Sequence, residues 1–397
     1  MGPAGSLNRT TSPFAAMNDT LPLVDLAPAV RLLALAAVLA VVPLSWVWLR
    51  SRGAPPRQRL AALTALALFL TFDLIVFGAF TRLTDSGLGC PDWPGCYGHA
   101  SPLGARADIG AAEAAMPTGP VTWSKAWIEM IHRYLAMTVG ALILVMTVFA
   151  WRQRRELPHS PWWAVATLVW VVVQGLFGKY TVTLKLYPAI VTLHLLGGLL
   201  LLALLACQHA SYRPQRLALP RGAAALAWAA LGLLVLQVTL GGWVSTNYAV
   251  MACADFPLCN GQVWPAMDFA QGFAPLRELG QASDGSALGF EALVAIHMAH
   301  RWFAFVVVAA LLALGHVLWH HGSGAVRHQG LWVAGLALAQ VASGLGNVLL
   351  GWPLAAALLH SGGAAALVLV LTLLLARAGA WMPARRQAPS EAVGVSC

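Results

Sequence analysis

Long apolar stretches alternate with polar connections along almost the whole chain. A helix needs about 20 apolar residues to cross a bilayer, and nine stretches reach that length. Their limits are 28–49, 59–81, 126–150, 161–181, 188–208, 222–245, 291–315, 330–350 and 354–376. Because a backbone in lipid must satisfy its own hydrogen bonds, these stretches predict an all-α polytopic membrane protein.

The apolar pattern is duplicated. The end of the second stretch and its loop match the end of the sixth stretch and its loop at one constant offset. The aligned pairs are Gly78 with Gly241, Cys90 with Cys253, Asp92 with Asp255, Pro94 with Pro257, and Cys96 with Cys259. We therefore predict two repeated four-helix transmembrane bundles with parallel topology, plus one extra N-terminal transmembrane helix. The predicted domains are 1–58 (tail and extra helix), 59–210 (first repeat), 211–380 (second repeat) and 381–397 (cytoplasmic tail).

Charge adds an orientation. The chain is 59% hydrophobic and 10% charged, with a net charge of +9. The basic residues are scattered between apolar runs, which argues against nucleic-acid binding and for the loop charge that orients membrane proteins. One set of loops and the tail carry Arg50, Arg52, Arg57, Arg59, Arg152, Arg154, Arg155, Arg213, Arg216, Arg221, Arg327, Arg385 and Arg386. We expect that side to be cytoplasmic in a bacterial inner (plasma) membrane, with loops 82–125 and 246–290 and the N-terminus outside.

Four histidines occupy equivalent places in the two repeats. Each repeat has one near the outer end of its second helix and one near the outer end of its fourth: His132 and His194, then His300 and His360. Ionisable residues inside membrane spans are costly and are functional candidates. Two imidazoles facing each other across a bundle are typical of haem ligation, whereas zinc would need closer or additional ligands. Core histidines bonded to the backbone are the alternative, which four symmetric positions at one depth make hard to sustain.

The residues beside these histidines distinguish the two copies. Glu129 lies three residues before His132, and His297 lies three residues before His300, so each shares a helix face with its histidine. Only the first copy therefore has a carboxylate there. For His297 two roles stay open, a hydrogen bond to a haem propionate or replacement of His300 as the iron ligand.

Three arginines stand at the outer membrane boundary, against the general charge bias: Arg82, Arg133 and Arg301. Such arginines either extend to lipid headgroups or hold propionates through charge-assisted forks. Because Arg133 and Arg301 directly follow the predicted ligands, we favour propionate contact.

The outer loops contain two cysteine pairs of equal spacing, Cys90 with Cys96 and Cys253 with Cys259. On an oxidising face we expect each pair to form a short disulfide-closed loop beside a histidine site. A redox role for these disulfides stays open.

The chain resembles the haem A synthases of cytochrome oxidase assembly over about residues 60–376. The motifs that carry the resemblance lie at 77–96 (FGAFTRLTDSGLGCPDWPGC), 129–133 (EMIHR), 194–198 (HLLGG), 298–301 (MAHR) and 359–363 (LHSGG). The extra first helix lies outside the usual eight-helix pattern of that family.

The resemblance implies a reaction and a division of labour. Haem O would be oxidised at its C8 methyl group to the formyl group of haem A. By resemblance, His300 and His360 ligate a haem b cofactor, His132 and His194 hold the haem O substrate, and Glu129 matches the family's essential carboxylate.

Two other functions fit part of the pattern. A quinol-oxidising cytochrome b with two bis-histidine haems explains the histidines but gives Glu129 no task, and a haem transporter would bind without altering the porphyrin. For the synthase we expect the lipid bilayer, an electron acceptor and a haem O synthase as partners. The acceptor's identity and self-association into a homo-oligomer stay open.

Overall fold

The computed structural model describes residues 27–157, 160–213 and 216–379, with side chains from residue 30 onward. Within these ranges the chain is helical and contains no strand. The helices are α1 (Ala27–Arg50), α2 (Pro56–Leu83), α3 (Arg106–Ala115), α4 (Trp123–Arg152), α5 (Trp162–Thr183), α6 (Pro188–Ser211), α7 (Ala223–Thr246), α8 (Phe269–Gly272), α9 (Phe290–His321), α10 (Ala325–Leu349) and α11 (Leu354–Arg377). Arg385 and Arg386, in the tail predicted to be cytoplasmic, lie outside the described residues.

All nine predicted spans are helices long and apolar enough to cross a membrane, so the prediction of a polytopic all-α protein is confirmed for the described residues. Several helix starts follow from local sequence. Pro56 and Pro188 occupy the first positions of α2 and α6, where the absent N–H costs nothing. The Thr122 side chain caps α4 by accepting from the Lys125 backbone N–H.

One predicted limit was wrong. The seventh stretch was expected to end at residue 315, but α9 continues to His321. Hydropathy marks where apolar residues end, whereas a helix can extend beyond the bilayer. The added turns carry His316 and His320, whose rings lie 4.3 Å apart.

Each repeat is a closed ring of four helices. In the first, α2 packs on α4, α4 on α5, α5 on α6, and α6 on α2. In the second, α7, α9, α10 and α11 pack in the corresponding order. The second and fourth helices of each repeat therefore lie diagonally across a bundle, so residues on their inner faces point toward one another.

The two bundles join through α6, which packs on α7 and α11, and through α2, which packs on α11. A continuous apolar core crosses this junction, from Leu199 and Leu202 of α6 to Leu231 of α7 and Leu371 of α11. The extra helix α1 lies outside the rings, against α4 and α2. Leu32, near its start, packs in one cluster with Cys90 and Met130, so α1 begins at the end of the molecule that carries the disulfide loops.

The two ends of the molecule differ in chemistry. Contacts at one end join the arginine-rich connections: Arg57 Nε donates to the Tyr212 carbonyl (2.9 Å), and the Leu217 N–H donates to the Arg377 carbonyl (3.0 Å). At the opposite end lie both long loops, and Tyr248 of the second donates its hydroxyl to Asp85 of the first (2.7 Å). This arrangement agrees with the alternation assumed from the sequence.

Candidate active site

The four candidate histidines lie on the diagonal helices of the two rings. His132 is on α4 and His194 on α6, while His300 is on α9 and His360 on α11. The His300 and His360 ring centroids are 6.4 Å apart. Two imidazole–metal bonds of about 2 Å each, together with the radii of the two rings, account for a separation of this size. The second bundle therefore fits one metal atom between two imidazoles.

Each of these rings lies against a glycine of an adjacent helix. A Cβ added to that glycine would lie within 2.9–3.6 Å of the ring carbon Cε1. The pairs are Gly78 with His132, Gly178 with His194, Gly241 with His300, and Gly344 with His360. A side chain at Gly78, Gly241 or Gly344 would crowd the ring, whereas at Gly178 it would be at ordinary contact distance, 3.6 Å. Gly178 and Gly344 escaped the sequence analysis, although they stand sixteen residues before His194 and His360 respectively.

The polar surroundings of the rings support a metal-ligand role for Nε2. Ser343 Oγ lies 3.0 Å from His360 Nδ1 and donates its only hydrogen to the Ala339 carbonyl (2.8 Å). With its hydrogen on that carbonyl, Ser343 Oγ accepts from His360 in the tautomer that carries the hydrogen on Nδ1, which leaves the Nε2 lone pair free. In the first bundle, Phe77 stacks on His132, with ring centroids 6.3 Å apart and planes 8° apart.

Glu129 is a buried carboxylate, 4% exposed, at the top of the first bundle. It accepts a hydrogen bond from the Cys90 backbone N–H (2.8 Å) and forms an ion pair with Arg133. The carboxylate is therefore anchored to the start of the first disulfide loop. Buried charges without such partners are strongly destabilising.

Arg133 and Arg301 hold the two disulfide loops in the same way. Arg133 donates to the carbonyls of Asp92 (2.9 Å), Pro94 (3.2 Å) and Gly95. Arg301 donates to the carbonyls of Asp255 (2.8 Å), Leu258 (3.0 Å) and Cys253 (3.1 Å). Only the first arginine also has a carboxylate partner, so a loop can be held without one.

The propionate contacts that we predicted for the arginines stay predictions, and the contacts that the structure shows are to loop carbonyls. The loop carbonyls could not be foreseen, because every residue has a backbone acceptor whatever its side chain. Arg301 Nε is buried and has no hydrogen-bond partner in the structure. Arg82 bridges the bundles, donating to the Ser245 carbonyl and to Asp85 (3.2 Å), with its guanidinium 4.0 Å from the Tyr248 ring.

Both loops are closed by disulfides, Cys90–Cys96 and Cys253–Cys259. Inside the second loop the Asp255 carboxylate accepts from the backbone N–H groups of Asn260 (2.5 Å) and Gly261 (2.9 Å). Donation from Gly261, followed by Asn260, lowers the pKa of Asp255 below its ordinary value.

In the first loop the Asp92 carboxylate accepts from Tyr97 (2.6 Å) and Gly98 (2.7 Å) in the same arrangement. The duplicated sequence therefore builds two copies of one rigid loop beside the histidine sites.

His297 occupies the place of Glu129 in the second bundle. It is 4% exposed, and its Nδ1 lies 2.8 Å from the Ala249 carbonyl. The ring thus bonds the turn that follows α7, while the His300 ring faces His360. His300, and not His297, is therefore the histidine of α9 that faces His360, and the propionate role of His297 stays a prediction.

Three glutamines within the spans were also missed by the sequence analysis: Gln174, which is buried, and Gln237 and Gln340, which are partly buried. Gln174 and Gln340 lie against Gly197 and Gly363, where a Cβ would come within 1.9 and 2.2 Å of the amide nitrogens. Gln237 lies beside His300. Each stands one turn before one of the glycines that contact a histidine, and this spacing was the available signal.

The comparisons with known proteins agree with this architecture. A family described as cytochrome oxidase assembly protein matches residues 61–372. A haem A synthase of Shewanella oneidensis is 37% identical over 319 residues, which is 79% of this chain and 95% of that protein. Haem A synthases of Rhizorhabdus wittichii (27% over 358 residues; 83% and 97%) and Caulobacter vibrioides (28% over 330 residues; 76% and 91%) are also similar. The chain therefore belongs to the cytochrome oxidase assembly protein family, in which these haem A synthases are its relatives.

Proposed function

We propose that this protein is a haem A synthase, a membrane oxidoreductase that converts the C8 methyl group of haem O into the formyl group of haem A through hydroxylated intermediates. The observation that carries the proposal is an asymmetry within a duplicated site. Both bundles present diagonal histidines against glycines, but only the first has a buried carboxylate one turn from its histidine. A quinol-oxidising cytochrome b needs the histidines and leaves Glu129 without a task.

The two bundles divide the work in this proposal. His300 and His360 ligate haem b, and His132 and His194 hold the haem O substrate. The support is the 6.4 Å separation of the His300 and His360 rings, and the Ser343 contact that leaves His360 Nε2 free. When bound, haem b supplies a one-electron redox centre through which electrons leave the site.

The reaction balances with water as the oxygen donor: a methyl group and one water give a formyl group, four protons and four electrons. Removal of two electrons and a proton from the methyl group leaves an electron-poor carbon. Glu129 stabilises that charge and takes the proton from an attacking water. A second round gives a geminal diol, which loses water to form the aldehyde.

The protein residues around Glu129 keep it in position for this role. The Cys90 N–H and Arg133 fix the carboxylate, and the disulfide-closed loop covers the same end of the bundle. Arg133 and Arg301 hold these loops, and we keep Arg82, Arg133, Arg301 and His297 as the residues proposed to contact propionates. His297 supports the loop of the cofactor half through Ala249.

The test of the proposal is the porphyrin content of the purified protein. Protein purified from cells that make haem O should contain haem b together with haem O, its hydroxylated form or haem A, as identified by chromatography and mass. The same cells with an empty vector are the control. Haem b as the sole porphyrin, with no haem A formed in the cells, contradicts the proposal.

We further propose that the disulfide-loop end faces outward and the arginine-rich end faces the cytoplasm, in a bacterial inner membrane that also contains a haem O synthase and an electron acceptor. The arginine distribution supports this orientation. A membrane-impermeant thiol reagent applied to intact cells should label a cysteine introduced at exposed Ser283 and should leave one at exposed Arg154 unlabelled. The reverse labelling contradicts the orientation.

The glycine contacts make a specific prediction for haem b. In Gly241→Ala the new Cβ would lie 2.9 Å from His300 Cε1, closer than the roughly 3.5–4.0 Å at which carbon atoms pack. Because the ring must shift, we expect haem b affinity to fall by about tenfold, the effect typical of disturbed ligand orientation. The measurement is haem b per protein after size-exclusion chromatography.

The matched control is Gly232→Ala on the same helix, where nothing lies within 4 Å of the new Cβ. It should keep its haem b, since alanine only favours the helix by about 0.5–1 kcal/mol. Equal haem b in the two variants would show that the glycine contact does not position His300.

A further inference from the structure

The two bundles differ in what holds Nδ1 of their histidines. In the second bundle both Nδ1 atoms have a side-chain partner. His360 Nδ1 is 3.0 Å from Ser343 Oγ, and His300 Nδ1 is 3.1 Å from the amide nitrogen of Gln237. In the first bundle, His132 Nδ1 and His194 Nδ1 are buried and have no hydrogen-bond partner.

The contact to Gln237 serves a metal-bound histidine as well as a free one. The Gln237 amide nitrogen also donates to the His300 carbonyl (3.1 Å) and lies 3.4 Å from His300 Nε2, while Gln237 Oε1 is buried without a partner. Rotation of the carboxamide gives up the bond to that carbonyl and turns the oxygen toward Nδ1. That oxygen then accepts from His300 Nδ1–H when Nε2 is occupied by iron. Ser343 needs no such change, since its hydroxyl hydrogen is already given to the Ala339 carbonyl.

The difference is written in the sequence at two positions. Gln237 stands four residues before Gly241, the glycine that contacts His300, and four residues before the matching Gly78 stands Leu74.

Likewise Ser343 directly precedes Gly344, whereas Phe177 directly precedes the matching Gly178. Each polar partner of the second bundle is therefore an apolar residue in the first.

Outer hydrogen bonds have a known effect on metal ligands. An acceptor on the second ring nitrogen fixes the orientation of the imidazole and raises its basicity, and its loss typically costs about 10–100-fold in affinity. A buried Nδ1–H without an acceptor is unfavourable, because no hydrogen bond replaces the one it would make to water. A histidine in that state binds iron less tightly and is freer to turn.

We propose that Gln237 and Ser343 are positioning residues that fix the orientation of His300 and His360, the ligands of the resident haem; we call these two residues the locks. Leu74 and Phe177 offer no such hydrogen bond, so the histidines of the first bundle stay free to turn and its porphyrin can exchange. This inference rests on the proposed function, because it assigns substrate and product to the first bundle. It explains how one duplicated fold retains one haem and releases another. The retained haem needs strong ligands, whereas haem O must enter and haem A must leave.

The first test removes the locks with Gln237→Leu and Ser343→Ala. We expect the affinity for haem b to fall by about tenfold. Less haem b should therefore be retained through size-exclusion chromatography. The midpoint potential of the haem b that remains should rise, because a less basic imidazole stabilises ferric iron less. Ser343→Thr keeps the hydroxyl and should restore both values. Thr239→Val removes a hydroxyl from α7 that bonds the Val235 carbonyl, away from the histidines, and serves as the control.

The reciprocal test installs the locks in the first bundle with Leu74→Gln and Phe177→Ser. We expect more haem O and haem A to co-purify with this double variant. Multiple-turnover synthesis should slow, while the first turnover proceeds as in the parent protein, because only release is affected.

The outcomes separate this inference from the proposed function. If the parent protein makes haem A but Gln237→Leu and Ser343→Ala keep full haem b at an unchanged potential, the inference is overturned and the synthase function stands. If the parent protein makes no haem A, the proposed function fails instead. A fold defect would lower the haem content without shifting the midpoint potential of the remaining haem, and Ser343→Thr would not correct it. Reduced haem b at an unchanged potential therefore also contradicts the inference.

Discussion

Glu129→Gln should abolish haem A formation while the protein keeps haem b and binds haem O. The substitution preserves the size of the side chain and an oxygen that can accept from the Cys90 N–H. In the proposed mechanism it removes the negative charge that stabilises the electron-poor carbon and the base that accepts the proton from water. Loss of a positioned base typically costs about 10²–10⁴-fold in rate. The measurement is haem A, haem O and the hydroxylated intermediate per protein, by chromatography and mass.

The substitution also breaks a buried ion pair. Arg133 would lose its carboxylate partner, and breaking a buried ion pair typically costs about 3–5 kcal/mol. The second bundle holds its loop without such an ion pair, since Arg301 donates to three carbonyls and to no carboxylate. We therefore expect the variant to fold. Haem b content reports whether the variant has folded. Normal haem A production by Glu129→Gln would contradict the catalytic role proposed for Glu129.

The matched control for this variant is Glu113→Gln. Glu113 also accepts from a backbone N–H, that of Trp123 (3.1 Å), in the first long loop. It makes no contact with the histidine pairs in the structure, so haem A production should be retained. A similar loss of haem A in both variants would assign the effect to loop structure and not to chemistry at Glu129.

His300→Leu and His132→Leu should impair haem A formation for different reasons. His300→Leu should lose haem b, and with it the route by which electrons leave, so haem A formation should fall on the order of 100-fold or more. His132→Leu should keep haem b and stop synthesis because the substrate porphyrin loses a ligand. Haem b per protein, measured from the reduced spectrum, separates the two variants.

His320→Gln is the control for the histidine variants, since its ring lies beside His316 at the opposite end of α9. Both haem b content and haem A formation should match those of the parent protein. The division of labour is contradicted if His132→Leu loses haem b and His300→Leu retains it.

Much of the candidate site could be recognised from the sequence because the chain is duplicated. A histidine at the same place in each of two repeats is evidence that a single histidine could not supply. The same alignment paired the cysteines and isolated Glu129 as the position where the copies differ. What the alignment could not show is which atoms the arginines contact, since Arg133 and Arg301 bond backbone carbonyls of loops that are about 40 residues away in the chain.

The inner partners of the histidines were hidden for another reason. Gln237 and Ser343 lie within apolar helices whose hydropathy dominates the pattern, and their meaning depends on which helix face meets which ring. The contact from Gln237 to His300 joins α7 to α9, and that from Ser343 to His360 joins α10 to α11. Only packed helices reveal that Nδ1 of His132 and of His194, in the bundle with Leu74 and Phe177 at the equivalent positions, has no hydrogen-bond partner.

By itself, the sequence determined the membrane class, the number of spans, the duplication and the residue types available for haem chemistry. These properties follow from composition and periodicity, because the bilayer imposes the helical length and the backbone must satisfy its own hydrogen bonds. The tertiary structure alone decided that the histidines face each other across diagonals and that glycines make room for their rings. It also decided that Glu129 is tied to a disulfide loop. These are relations between distant parts of the chain, which arise when the helices pack and which no local pattern records.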